Sequence, residues 1–441
     1  MAEKDSGSGV SRRRFLALSG AGMVAGASGP LLYSSPAAAL TTNARIVIVG
    51  AGAAGLSLAS RFSRALRGAS ITVIDARERH VYQPGLTLVA TGIWQPDKVL
   101  DSNARYLPDG VTWLRDNVQA YEPDQNRVRT VSGEVVEYDF LVVATGLQVN
   151  YAAIDGMRPE LIGEHGIACV YDNPEHATAS ARVIDDFARQ GGVGLFTRAP
   201  GAIKCAGAPL KVALLTENNL RDGGGRANAE LHYLPPGGGL FSQPDINEFL
   251  KSHMPDDRGF RMDWHHRLVA IEPENRRAVF ATPEGDRSMD YDMIHVVPPM
   301  SAPDALRNSP LAAGPGEFEG WLEVDPYSMR HRRYPNVFGA GDVVGTPIGK
   351  TAASVKAQVP VVVANLLSVL REQPLNARYN GYTSCPLITE KGRAILVEFD
   401  YELKMVPSFP FISPYREHWV PWLMKDRMLQ AAYNAMLRGR V

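Results

Sequence analysis

The stretch ARIVIVGAGAAGLSLASRFSRAL, residues 44–66, decides the fold. Ile46 to Val49 is a short, β-branched, wholly apolar run, as expected of a parallel strand buried on both faces. Gly50, Ala51, Gly52, Ala53, Ala54 and Gly55 follow with the spacing G-x-G-x-x-G. Glycines at that spacing permit a tight turn and let backbone N–H groups approach a pyrophosphate at a helix N-terminus. From Leu56 to Leu66 the apolar residues recur at helical spacing. ITVID (71–75) predicts a second strand, and Asp75 at its end stands where an acid bonds a ribose hydroxyl. A glycine triplet alone is a weak signal. Strand, turn, helix, strand and acid in that order predict an α/β dinucleotide-binding domain.

Two later stretches complete that domain. YDFLVVATG (138–146) is an apolar strand ending in Thr145 and Gly146, and YPNVFGAGDVVG (334–345) is another, ending in Asp342. With the first loop they resemble the two-dinucleotide-binding-domain flavoproteins of the disulfide reductase-like class. That resemblance implies FAD, with Asp342 bonding its flavin side, and a second Rossmann-like domain inserted for a nicotinamide. The inserted strand is expected at VGLFT (193–197), but the next residues read RAPGAIKCAGAP (198–209). Pro200 and Pro209 interrupt the loop, and Lys204 and Cys205 occupy it, so it supplies poorly the closely spaced glycine N–H groups of a phosphate cradle. Electrons are therefore expected from a donor other than a nicotinamide. Cys205 falls at the strand-to-helix turn facing the flavin in this architecture, and Cys385 arrives from YTSCPLI (382–388) far downstream. Two such thiols can pair as a disulfide open to hydrosulfide attack. On these residues alone the alternative of two inert buried thiols stays open.

Six stretches narrow the reading: ERHVYQPGLTLVATG (78–92), IKCAGAPLK (203–211), MIHVVPPMSAPDAL (293–306), HRRYPNVFGAGD (331–342), GKTAASVKAQVP (349–360) and YTSCPLITEKGRAILVEFDY (382–401). They resemble the sulfide:quinone oxidoreductase family, in its mitochondrial-type branch, from about Arg45 to the C-terminus. The resemblance implies an enzyme that oxidises sulfide to sulfane sulfur or polysulfide, with FAD as cofactor and membrane quinone as acceptor. It implies that Cys205 and Cys385 are the redox pair, the persulfide on Cys385 and the flavin beside Cys205. It maps FAD contacts onto Gln83, Val118, Asp342, Lys350, Thr351, Ala352 and Ala353, with Lys350 also placing positive charge near the reduced flavin. Cys169, in GIACVYDNPEHA (166–177), lies near a third cysteine of many bacterial relatives and is expected as a buried or accessory thiol. Lys211 replaces a glutamate of those relatives, so no carboxylate base is expected there.

Composition sets the frame. The chain of 441 residues is 45% hydrophobic and 21% charged with a net charge of −1, which suits a soluble globular protein and suggests no nucleic-acid partner. Three cysteines with no C-x-x-C and ten histidines suggest no bound metal. Residues 1–40 carry Arg12 and Arg13, a glycine-broken apolar run, and Ala37 to Ala39, the order of a Tat-type export signal. A periplasmic, monotopic protein on the inner membrane is the expectation. The FAD domain is expected at 45–150 with 320–384, the second Rossmann-like domain at 151–319, and a quinone and membrane segment at 385–441. In that tail Trp422, Leu429, Tyr433, Met436 and Leu437 recur at helical spacing beside basic residues, predicting an amphipathic helix in a membrane interface. Phe409, Phe411 and Trp419 are candidate quinone-lining residues, no segment is expected to reach spanning length, and a homo-oligomer is expected. Three rivals are a flavocytochrome c sulfide dehydrogenase subunit, whose flavin-attaching cysteine the YQP segment lacks, a type-II NADH:quinone oxidoreductase, and a flavin-stabilised binding protein.

Overall fold

A computed structural model describes residues 39–441; the twin-arginine segment lies outside them. The first sheet runs Val337–Gly339, Phe140–Val143, Arg45–Val49, Ser70–Ile74 and Thr112–Leu114, all parallel. Its central strands are buried end to end from Ile46 to Val49 and from Leu141 to Val143, which is why they read as unbroken apolar runs. The Ala53–Ala65 helix lays Leu56, Leu58, Ala59 and Phe62 on the molecule's core. A strand from beyond the second sheet, Val337–Gly339, closes the first one beside Phe140–Val143.

The second sheet repeats the plan: Ile167–Ala168, Met293–His295, Gly192–Thr197, Ala229–Leu234 and Phe260–Met262, again parallel. Each half also carries a three-stranded antiparallel meander, 118–137 in one and 267–290 in the other. An antiparallel hairpin, Thr383–Glu390 with Arg393–Phe399, then lies against the Ala208–Gly223 helix of the second half. Cys385 is therefore part of a packed hairpin.

Two expectations change. The Ala352–Leu370 helix does have the length and apolarity to span a membrane, at 19 residues and a mean hydropathy of 1.6. Half of it is buried, and it packs on the Ala53–Ala65 helix and the hairpin, as a core helix does. The tail's apolar stripe also turns inward. After Trp419–Leu423 and a π-turn at Met424–Met428, the Leu429–Leu437 helix buries Tyr433, Met436 and Leu437. There Tyr433 Oη lies 2.8 Å from His80 Nε2, and the Leu437 carbonyl accepts from Ser60 Oγ at 2.7 Å. Apolar spacing tells that a helix has a buried face but not whether protein or lipid covers it.

Candidate active site

The dinucleotide cradle is built as its sequence demands. Gly50 has φ +107°, and a Cβ there would meet the Ala144 carbonyl at 2.4 Å. A Cβ on Gly55 would meet the Gly50 carbonyl at 1.7 Å, so turn and helix approach only because both are glycine. Gly52 and Gly146, by contrast, face open space. Thr145 Oγ1 is buried without a hydrogen-bond partner, the mark of a hydroxyl aimed at a polar ligand. Asp75 is buried and accepts from the Ala51 N–H at 2.6 Å, and the Arg77 guanidinium grips it at 2.7 Å, a clamp not foreseen in the sequence. Burial opposes ionisation of Asp75, yet its bonds to Arg77 hold the carboxyl below the usual range. These residues fit a bound dinucleotide of the FAD type.

The other expected contacts fall around the same cleft with some surprises. Asp342 ends the GAGD loop, where burial raises its carboxyl against the pull of Lys350 and Lys204. Lys350 is turned in: its Nζ donates to the carbonyls of Asp342 (2.6 Å) and Val344 (3.1 Å) and lies 3.5 Å from the Trp321 ring. Burial lowers it to about 8, so it staples this loop rather than standing as a free charge. Thr351 caps the Ala352–Leu370 helix by accepting from Ser354 N–H, and Ala352 and Ala353 form its first turn. Gln83 is exposed on the Gln83–Gly85 turn, and Val118 is half-buried at the start of the first meander.

Both sulfurs reach the same lysine. Cys205 lies in the turn after Gly192–Thr197, at φ +51°, a left-handed conformation that costs a non-glycine residue about 1–2 kcal/mol. Its N–H donates to the Lys350 carbonyl at 2.9 Å, and its own carbonyl accepts from Ala208 N–H as the Ala208–Gly223 helix begins. Cys385 comes from the hairpin strand and is buried. Between them lies Lys211, one turn into the helix, with Nζ 3.1 Å from Cys205 Sγ and 3.8 Å from Cys385 Sγ. Gly207 makes room for this: a Cβ there would stand 2.7 Å from Cys385 Sγ. The Cys385 thiol donates to Cys205 and, with the Lys211 charge, outweighs burial and holds Cys205 well below the usual thiol range. Cys385, the partner that keeps the proton, is pushed well above it. Burial would lower Lys211, but the two sulfurs reverse that and raise it.

A second buried cation, Lys425, sits in the π-turn of the tail and donates to the Pro84 carbonyl at 2.5 Å, with the Tyr82 ring 5.2 Å away. Burial, then repulsion from Lys211, lowers it to about 7. In the sequence Lys211 was legible only as the replacement of a carboxylate and Lys425 only as one basic residue of the tail; their approach to the sulfurs is tertiary. Cys169 stands apart as a buried thiol, 3.9 Å from Tyr151 Oη and pushed by burial up to about 11. Burial of this kind disfavours the thiolate, the reactive form of a cysteine. Phe409 and Phe411 stack edge to face at 5.8 Å in the tail, Phe411 68% exposed, and Trp419 opens the following helix. Among the described residues no cluster of His, Cys, Asp and Glu gathers as a metal site.

Residues 44–184 match the pyridine nucleotide-disulphide oxidoreductase family. The mitochondrial sulfide:quinone oxidoreductase of Dictyostelium discoideum is 36% identical over 90% of this chain and 86% of that protein. Its mouse counterpart is 34% identical over 93% of this chain and 90% of its own. The chain belongs to the sulfide:quinone oxidoreductase family. The solved sulfide:quinone oxidoreductase of Aquifex aeolicus shares the fold, with a TM-score of 0.74 at 19% identity, covering 90% of this chain and 92% of that one. The family placement corrects one expectation. The Dictyostelium and mouse relatives, which match along nearly the whole chain, are mitochondrial by name, and this overturns the expectation of a periplasmic, Tat-exported protein.

Proposed function

We propose that the protein oxidises hydrosulfide at a Cys205–Cys385 disulfide and delivers the electrons, through FAD, to a membrane quinone. The observation that carries this is one buried lysine touching both sulfurs, at the turn where such folds seat a nicotinamide. Hydrosulfide attacks Cys385 Sγ of the disulfide. A new sulfur–sulfur bond forms on Cys385, the Cys205–Cys385 bond breaks, and Cys205 leaves as a thiolate paired with Lys211. The unequal environments of the sulfurs favour this direction, because the better leaving group is the thiolate already stabilised. A nucleophilic sulfur acceptor then removes the outer sulfur from Cys385, and the proton returns to that thiol. FAD, which the Gly50–Gly55 cradle would hold, would supply both the two-electron acceptor that lets the Cys205–Cys385 disulfide reform and the relay to quinone.

The tail supports a membrane address for the quinone. Phe411, Tyr415 and Met428 are 68%, 47% and 40% exposed, large apolar side chains beside Arg416 and Arg427. Phe409, Phe411 and Trp419 line the quinone's way in on this reading, and a homo-oligomer on the bilayer surface is part of it. An anaerobic titration tests the proposal. Sulfide is expected to bleach the flavin absorbance of the wild type but not of Cys385→Ser, and short-chain quinone to restore it. Bleaching by NADH with none by sulfide overturns it.

A further inference from the structure

Around Gly207 the Ala208–Gly223 helix and the hairpin touch Cys385 through apolar groups, with Leu387 and Phe241 alongside. Apolar contact is non-directional, so it opposes separation better than sliding. A slide of the hairpin by one residue, about 3.3 Å, would take Cys385 out of reach of Cys205. Directional bonds that fix the register are concentrated at the other end of the same two elements. Arg258, only 8% exposed and contributed by the second half, donates from Nη1 to Glu390 (3.0 Å) and Glu217 (3.3 Å). Its Nη2 lies 3.6 Å from Glu417, and its Nε donates to His253, itself 3.3 Å from Glu417. Glu217 belongs to the helix of Lys211, Glu390 to the strand of Cys385, and Glu417 to the tail that brings Lys425. Arg221 joins Glu217 and Glu390 again at 2.9 and 3.0 Å.

We propose that Arg258 is a positioning residue for the sulfur chemistry: by bonding Glu217 and Glu390 together, with Glu417 in a looser ion pair beside them, it fixes the register of helix and hairpin and thereby the spacing of Cys205 and Cys385. The inference rests on the redox-pair reading above. Charge-assisted bonds suit this task because they are short and directional. Arg258 touches no reacting atom and acts only through the elements it ties.

The flavin-loaded protein is equilibrated anaerobically with glutathione buffers, and the Cys205–Cys385 disulfide is counted by mass spectrometry. Each exchange uses one oxidised glutathione, forms one protein disulfide and releases two reduced glutathiones, so the midpoint reports the effective concentration of the two thiols. Arg258→Met is expected to lower it at least tenfold, with Arg258→Lys between. Arg258→Met takes one cation from the buried Glu217, which keeps Arg221, and so threatens folding. The Arg258→Met/Glu217→Gln variant neutralises that carboxylate while Arg221 still holds Glu390. It is expected to melt close to the wild type and keep the tenfold loss. A wild-type effective concentration in either folded variant overturns the proposal. Failure of the redox-pair reading looks different: Cys385→Ser would then retain full sulfide-driven quinone reduction.

Discussion

At the scale of single residues, the site depends on one absent methyl and one added charge. Gly207→Ala places a Cβ where the structure leaves 2.7 Å to Cys385 Sγ, with Phe241 3.3 Å away on the other side, so the sulfur must move. The expected result is a folded, flavin-loaded protein whose sulfide-driven flavin reduction slows at least tenfold in stopped flow. Lys211→Met removes the cation from beside Cys205 and so disfavours its thiolate. The pH midpoint for iodoacetamide alkylation of Cys205 should rise by about one to three pH units. Cys169→Ala, in contrast, should leave sulfide turnover unchanged and cost only stability, about 1–2 kcal/mol by denaturant melt, because that thiol is buried against Tyr151 and Ser180. The glycines of the first loop and the two cysteines proposed as the redox pair could be singled out in the sequence because their chemistry is fixed by residue type. Lys211 was seen there only as a missing carboxylate, since its value comes from two sulfurs that the chain order keeps far apart.

At the scale of elements, helix ends and one irregular turn set the charges. Thr351 caps the Ala352–Leu370 helix and bonds Thr383 at the base of the Cys385 strand at 3.0 Å. Thr351→Ala should cost about 1 kcal/mol, measured by denaturant melt. The π-turn at Met424–Met428 turns Lys425 inward while Met428 stays exposed. Lys425 has lost its proton above about pH 7 in the folded protein, whereas an unfolded lysine holds it to about pH 10.4. Between those values the unfolded state binds more protons, so this group makes stability rise with pH. Lys425→Met should flatten that slope and stabilise the protein most below pH 7, as thermal melts across pH 6–10 would show. The tail's helical spacing was readable, but the side that faces protein was not, because Tyr433 and Leu437 find their partners near residues 60–80.

At the scale of the whole molecule, two similar halves meet around the cleft and the tail straps them. The strap offers Phe411, Tyr415 and Met428 outward. Replacing all three with serine should reduce binding to phospholipid vesicles by about tenfold or more while leaving activity with a soluble short-chain quinone intact. A sedimentation assay with vesicles and a parallel assay with the soluble acceptor check both halves of that expectation. The periplasmic, Tat-type address was misread from the composition of the chain's first forty residues, and the mitochondrial relatives overturn it.

The sequence by itself determined the dinucleotide fold and its glycine turn and pointed to the two sulfurs, because each rests on local rules: apolar runs make buried strands, glycines make close turns, and cysteine alone supplies a disulfide. Only the tertiary structure decided that Lys211 would lie between Cys205 and Cys385, that Lys350 would turn inward, and that Arg258 would bind three elements at one point. Those outcomes depend on long-range register and burial, and a charged side chain's role is set by what it meets after the chain has closed.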